Sequence, residues 1–206
     1  MARYTGPKVR ISRRLGVNIY ENTKGSKALE RRPFPPGTHG RTRRRGAGSE
    51  YLLQLQEKQK AKYIYGVLER QFRRTYEEAS RLAGPTGENL LRLLELRLDN
   101  MVFRLGFASS RDQARQYINH GHFAVNGGAV DIPSYSLKPG DVISLRPGRA
   151  ELAPFKEVVE TLKSAATQEW LRVDASKMAG HVIAAPRRDQ MPGDFNEQLV
   201  VEFYSR

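Results

Sequence analysis

Residues 108–127 read ASSRDQARQYINHGHFAVNG, and their reading decides the fold. Ser110 followed by Gln113 has capping-box spacing, which starts a helix. Ala114, Tyr117 and Ile118 recur at helical spacing and form its apolar edge. At about 100° per residue, Arg111, Arg115 and Asn119 fall on an adjoining stripe expected to reach solvent. Gly121 suits the helix C-terminus. FAVNGGAVDI then gives a hairpin, with Asn126-Gly127 as a tight type I′ turn. The helix start offers free amides, a positive dipole end and two arginines, all suited to phosphate. His120, His122 and Asn126 are expected near the hairpin side. The same pattern also fits a capped surface helix carrying two solvated arginines.

Upstream, a long helix is expected from near Glu88 to Gly106. Leu90, Leu94, Leu98, Met101 and Leu105 share one stripe, while Leu93, Leu96 and Phe103 lie on another side. A helix apolar on two sides is expected to be sandwiched between layers. Before it, SEYLLQLQEKQKAKYIYG reads as a helix capped by Ser49, and VLERQFRRTYEEASRLAG as a second closed by Gly84-Pro85. Val67, Leu68, Phe72, Tyr76, Ala79 and Leu82 form the inner face of the second. Lys58, Lys60, Lys62, Arg70, Arg73 and Arg74 stay largely outside it. They suit RNA contact, or an ordinary wet face partnered by Glu57, Glu69, Glu77 and Glu78.

Downstream, SLKPGDVISL gives a strand entered through a Pro139-Gly140 turn. A helix is expected over 151–169, with Phe155, Val158, Val159 and Leu162 as its core edge. WLRVD, HVIAA and QLVVEFY read as short strands. Trp170 reads as core, with a stacking role as the alternative.

Charge is unevenly spread. The 206 residues carry a net +13, and residues 1–48 hold 13 Lys/Arg against 2 acids. The remaining residues are almost balanced. Such a surplus points to a polyanion, nucleic acid first and an anionic membrane second. Residues 1–48 are rich in Gly, Pro and Arg, so an extended arm that orders on its partner is expected. Its candidate contacts are Arg3, Lys8, Arg10, Arg13, Arg14, Arg31, Arg32, His39 and Arg41. Gly6-Pro7 and Gly16 are expected to break any amphipathic helix there.

With no cysteine in the chain, disulfides and thiolate metal sites are excluded. No apolar run approaches a membrane span, and MARYTGPKVRISRRLG lacks the apolar core of a signal peptide. His120-Gly-His122 could suggest a metal pair, but only His39 and His181 remain as further histidines; no metal or other cofactor is expected. Asp99, Asp112 and Asp131 lack an accompanying nucleophile–base pattern, and no GxxxxGK[ST] phosphate loop is present.

RLDNMVFRLGFASSRDQARQYINHGHFAVNG resembles the helix-helix-hairpin RNA-binding module of several RNA-handling families. MARYTGPKVRISRRLG, RRPFPPGTHG, EKQKAKYIYGVLERQFRRTYEEA, WLRVDASKMAG and NEQLVVEFYSR resemble the bacterial small-ribosomal-subunit protein four family, essentially from end to end. The resemblance implies an α+β fold: a helical domain, then a second domain with the helix-helix-hairpin module and a small antiparallel sheet, preceded by the basic arm. The expected division is an arm at 1–48, a helical domain at 49–95, the module at 96–150, and a C-terminal helix with short strands at 151–206 packing back on both. The family binds the five-prime domain of small-subunit rRNA and nucleates assembly. It also contacts protein five, helps line the path by which messenger RNA enters and influences translational accuracy. Some members repress their own message. A cytoplasmic monomer within the ribosomal particle is implied, with no membrane partner. Messenger contact carries over to Arg43, Arg44 and Arg45. Some relatives hold a four-cysteine zinc site in the arm; this chain has Val9 and Ser12 where its CxxC pair would start.

An enzyme reading, a pseudouridine synthase bearing the module as a targeting appendage, needs a catalytic domain with its own Asp. Residues outside 96–150 offer a basic arm, helices and a short tail instead.

Overall fold

The computed structural model describes residues 4–21, 23–42, 49–162 and 168–206. The chain forms two compact units, one from residues 1–90 with 192–206, the other from 91–191.

In the first unit the arm contains two helices, α1 (Lys8–Leu15) and α2 (Thr23–Arg31), which pack together. This corrects the expected extended arm. Pro7 and Gly16 bracket α1 rather than break it. Proline is tolerated at a helix start, and Gly16 takes φ 74° to end the helix, its N–H reaching the Ser12 carbonyl at 2.8 Å. Ile11, Ser12 and Ile19 are buried, so the arm is folded in rather than splayed into solvent.

The helix α3 (Glu50–Ile64) starts where the Ser49 side chain accepts from the Leu52 N–H at 3.3 Å. The next, α4 (Glu69–Ala79), buries Phe72 and Ala79 completely, while Leu68 and Leu82 stay exposed. The unit is completed by the C-terminal residues. QLVVEFY is a helix, not the expected strand; we number it α9 (Glu197–Tyr204), after the helices of the second unit. Asn196 caps it, accepting from the Gln198 N–H at 2.9 Å, and Val200 is fully buried as the helix packs along α3. Capping and packing outweigh the strand preference of Val, Phe and Tyr.

The boundary between the units falls within α5 (Thr86–Glu95). In the second unit the expected long helix is divided: α6 (Leu98–Arg104) follows a break at Leu96-Arg97. Arg97 is extended and bridges Ser136, with Leu98 N–H to the Tyr135 carbonyl and Leu137 N–H to the Leu96 carbonyl, both 2.9 Å. Neither glycine nor proline marks this break, and the leucine stripe runs on across it.

Then come α7 (Arg111–Asn119), β1 (Phe123–Val125), β2 (Gly128–Ala129), β3 (Val142–Leu145), α8 (Ala153–Leu162), β4 (Leu171–Asp174) and β5 (Ala179–Val182). The strands form one antiparallel sheet in the order β2-β1-β3-β5-β4. The fold is therefore α+β. HVIAA is a strand only to Val182; Ile183 is exposed. Asn126 and Gly127, at φ 51° and 81°, make the type I′ turn. Leu98, Met101, Phe107, Ala114, Ile118, Phe123, Ile143, Phe155 and Trp170 belong to one core.

Candidate nucleic-acid interface

The opening stretch folds as read but points its arginines elsewhere. Ser110 caps α7, accepting from the Gln113 N–H at 3.3 Å, and Gln113 reaches back to Ser109. Arg111 and Arg115, expected to reach solvent, are only 8% and 6% exposed. Arg115 Nε donates to Asp99 Oδ2 at 2.7 Å, and Arg111 Nε to Asn100 Oδ1 at 2.8 Å, its guanidinium lying 4.5 Å from the Phe103 ring centre. Arg97 forks onto the same Asp99 at 3.0 and 3.1 Å. Arg104 forks onto Glu95 at 2.9 and 3.1 Å, and Asn100 Nδ2 joins the two carboxylates' systems by donating to Glu95 Oε2 at 2.6 Å.

Asp99 and Glu95 are almost wholly buried. A carboxylate removed from water must be paired and hydrogen-bonded. That need, set by α5 and α6, draws the α7 arginines inward. Three guanidinium groups, those of Arg97, Arg104 and Arg115, meet the two buried carboxylates, Arg115 also reaches Asp112 at 3.6 Å, and Arg111 joins through Asn100.

At the hairpin end, His120 is exposed and His122 half-buried, their ring centres 6.0 Å apart. His122 lies edge-on to Phe155 and Tyr117. Burial, then the charges of Arg149 and His120, hold the His122 imidazole below its ordinary pKa. Arg146 joins the cluster, its N–H donating to the His122 carbonyl at 2.9 Å and its Nη1 to the Gly121 carbonyl at 3.2 Å. Sequence reasoning missed Arg146 and Arg149; an Arg-Pro-Gly-Arg turn directly after a strand was the available signal. Asn126 is engaged within the fold: its Nδ2 donates to Asp141 at 2.8 Å and its Oδ1 accepts from the Val142 N–H at 2.9 Å. Among the described residues no group of three or more His, Asp or Glu could hold a metal ion.

In the first unit the cations divide by exposure. Lys58, read as an outer-face cation, is 4% exposed. It meets Glu69 Oε1 at 2.8 Å and lies 4.8 Å from the Phe203 ring centre. Lys62 reaches the other Glu69 oxygen at 3.2 Å, and Tyr204 donates to Glu69 Oε1 at 2.7 Å. Burial pushes the Glu69 carboxyl up, but the hydrogen bonds from Lys58, Tyr204 and Lys62 outweigh it and leave the pKa lowered. Burial and the Glu69 partner push the Tyr204 phenol far up. Lys60 pairs with Glu57 at 2.7 Å. Arg70, Arg73 and Arg74 are exposed, Arg73 reaching Glu77 at 3.3 Å.

In the arm, Arg10, Arg14, Arg31, Arg32, His39 and Arg41 are exposed, as are Lys24 and Lys27, which sequence reasoning left out of the contact set. Lys8 lies 4.9 Å from the Tyr20 ring centre and Arg41 5.0 Å from that of Phe34. Arg13 turns inward, onto backbone carbonyls at 32–35. Arg3, Arg43, Arg44 and Arg45 lie outside the described residues.

A cation-rich arm on a helical unit, and a second unit in which a helix pair and hairpin sit on a small sheet, are the marks of an RNA-binding protein. The family description "Ribosomal protein S4/S9 N-terminal domain" matches residues 3–95, and "S4 domain" matches 96–143. Over the whole of both chains, the sequence is 54% identical to small ribosomal subunit protein uS4 of Chloroflexus aurantiacus, 53% to that of Rubrobacter xylanophilus and 52% to that of a Geobacillus species. The chain belongs to the bacterial uS4 family of small ribosomal subunit proteins. It is a structural, non-enzymatic component of the ribosome that binds rRNA.

Proposed function

We propose that this chain is a primary binder of the five-prime domain of small-subunit rRNA and nucleates assembly there. It then contacts protein five and helps line the path by which messenger RNA enters, influencing translational accuracy, in the cytoplasm. The observation that carries the RNA part is the arm: net +11 over residues 1–48, with Arg10, Arg14, Arg31, Arg32 and Arg41 exposed on a small folded scaffold. Cations held on folded elements displace counterions from phosphates without paying the full ordering cost on binding.

Direct contacts fall to the exposed arm cations with Lys8 and His39, to Arg70, Arg73 and Arg74 on α4, and to His120 and His122 at the hairpin. Lys60 and Lys62 add charge beside them. Lys58, Arg111 and Arg115 act from inside, fixing the surfaces that carry the others. Arg3 extends the arm's set, and Arg43, Arg44 and Arg45 supply the messenger contact. Crosslinking in assembled small subunits, with sequencing of the attached RNA, tests this. Adducts are expected between arm peptides and the five-prime domain; adducts confined to another rRNA domain would overturn the assignment.

A further inference from the structure

The arm's second half, RRPFPP, is poorly equipped to hold itself. Pro33, Pro35 and Pro36 have no N–H, so a local hydrogen-bond ladder cannot form. Its carbonyls are taken up instead by one side chain from α1. Arg13 Nε donates to the carbonyls of Arg32 and Phe34, both at 3.2 Å, and Nη2 approaches that of Pro35 at 3.5 Å. The guanidinium also lies 5.2 Å from the Phe34 ring centre. A planar five-donor fork can serve several acceptors while stacking on an aromatic face; an ammonium is a point charge that cannot do both.

The two segments joined in this way are the walls of one groove of about 760 Å³. Arg14, Gly16, Pro36, Thr38, His39 and Thr42 are among its lining residues. It is open, carries the Arg14 cation and the Thr38 and Thr42 hydroxyls beside proline and leucine surface, and so offers a ribose–phosphate strand both phosphate partners and a flat apolar wall.

We propose that Arg13 is a positioning residue rather than a phosphate contact: it assembles the arm into this groove before RNA arrives, and the groove then receives a ribose–phosphate segment through Arg14, His39 and the threonine hydroxyls. The inference rests on the RNA-binding reading above. It separates two roles that charge counting merges, since Arg13 and Arg14 are adjacent in sequence and identical in charge.

The test uses the full chain and a transcript of the five-prime domain of small-subunit rRNA. Affinity is measured across a salt series for the wild type, Arg13→Lys, Arg13→Ala and Arg14→Ala, with amide exchange of each RNA-free protein. Arg13→Lys and Arg13→Ala are both expected to lose about tenfold in affinity, and both to lose protection at the Gly16 and Thr42 amides. Arg14→Ala is expected to keep that protection and to flatten the salt slope by about 0.7–0.9, the loss of one phosphate contact. Arg13→Lys binding like the wild type would overturn the inference, because charge alone would then suffice. Lost protection with unchanged affinity and slope would also overturn it, leaving a clasp without a part in RNA binding. Phe34→Leu removes no charge, and its expected weaker binding gives a second reading should Arg13→Ala fold poorly. A wild type that ignored the transcript would overturn the RNA reading itself; a wild type that binds, with Arg13→Lys equal to it, overturns only the clasp.

Discussion

Arg115 shows how one buried carboxylate can redirect a surface. On a helical wheel its place beside the apolar edge leads to solvent. In the fold it lies 2.7 Å from Asp99, sixteen residues earlier in the chain. Arg111 is held similarly by Asn100, eleven residues earlier. Arg115→Ala would strip Asp99 of one of its two guanidinium partners, so it is expected to cost about 3 kcal/mol of unfolding free energy, measurable by urea denaturation. A solvated arginine would cost less than about 0.5 kcal/mol. Local chemistry was legible at this scale: the Ser49 and Ser110 caps and the Asn126-Gly127 turn stand where their residue types put them. Partners distant in sequence were not, because helical periodicity carries no record of which polar group a neighbouring helix will bury.

The elements divide in the same way. Helices and strands bounded by capping residues or glycine turns were readable, while α9 and the α5–α6 break were not. QLVVEFY has the composition of a strand, and the Asn196 cap together with packing on α3 makes it a helix. Its docking can be tested by pH. The Glu69 carboxyl, held below its ordinary 4.5, stabilises the cluster with Lys58 and Tyr204 above that value. The contribution is lost as pH falls through the lowered pKa. The thermal midpoint of the wild type is therefore expected to fall more steeply than that of Glu69→Gln as the pH drops below the ordinary 4.5 of Glu69. Equal slopes would remove Glu69 from the docking. In the sheet, a Cβ added at Gly180 of β5 would collide with the Leu105 side chain. Gly180→Ala is expected to destabilise by about 1–3 kcal/mol through overpacking, again readable in urea.

For the whole molecule, the charge asymmetry was plain in the sequence, but the state of the arm was not. Thirteen cations among prolines and glycines read as a chain awaiting its partner. The structure instead gives it two helices, a buried Ile11 and Ile19, and an internal guanidinium clasp. Composition measures how much a segment can bury on average; it does not reveal that two isoleucines are placed where the fold covers them and one arginine where it meets backbone carbonyls. The helices α1 and α2 make the state of the free arm a measurable question. Far-ultraviolet circular dichroism of the free protein is expected to account for α1 and α2 before any RNA is added. Helical signal gained only with RNA would argue for folding on contact.

The central claim, that exposed cations on a rigid scaffold neutralise rRNA phosphates, is tested most directly by the affinity of the full chain for the five-prime domain transcript across ionic strength. A straight line of log K against log salt is expected, falling by about 0.7–0.9 for each phosphate engaged and corresponding to several contacts. A line that is nearly flat would contradict it.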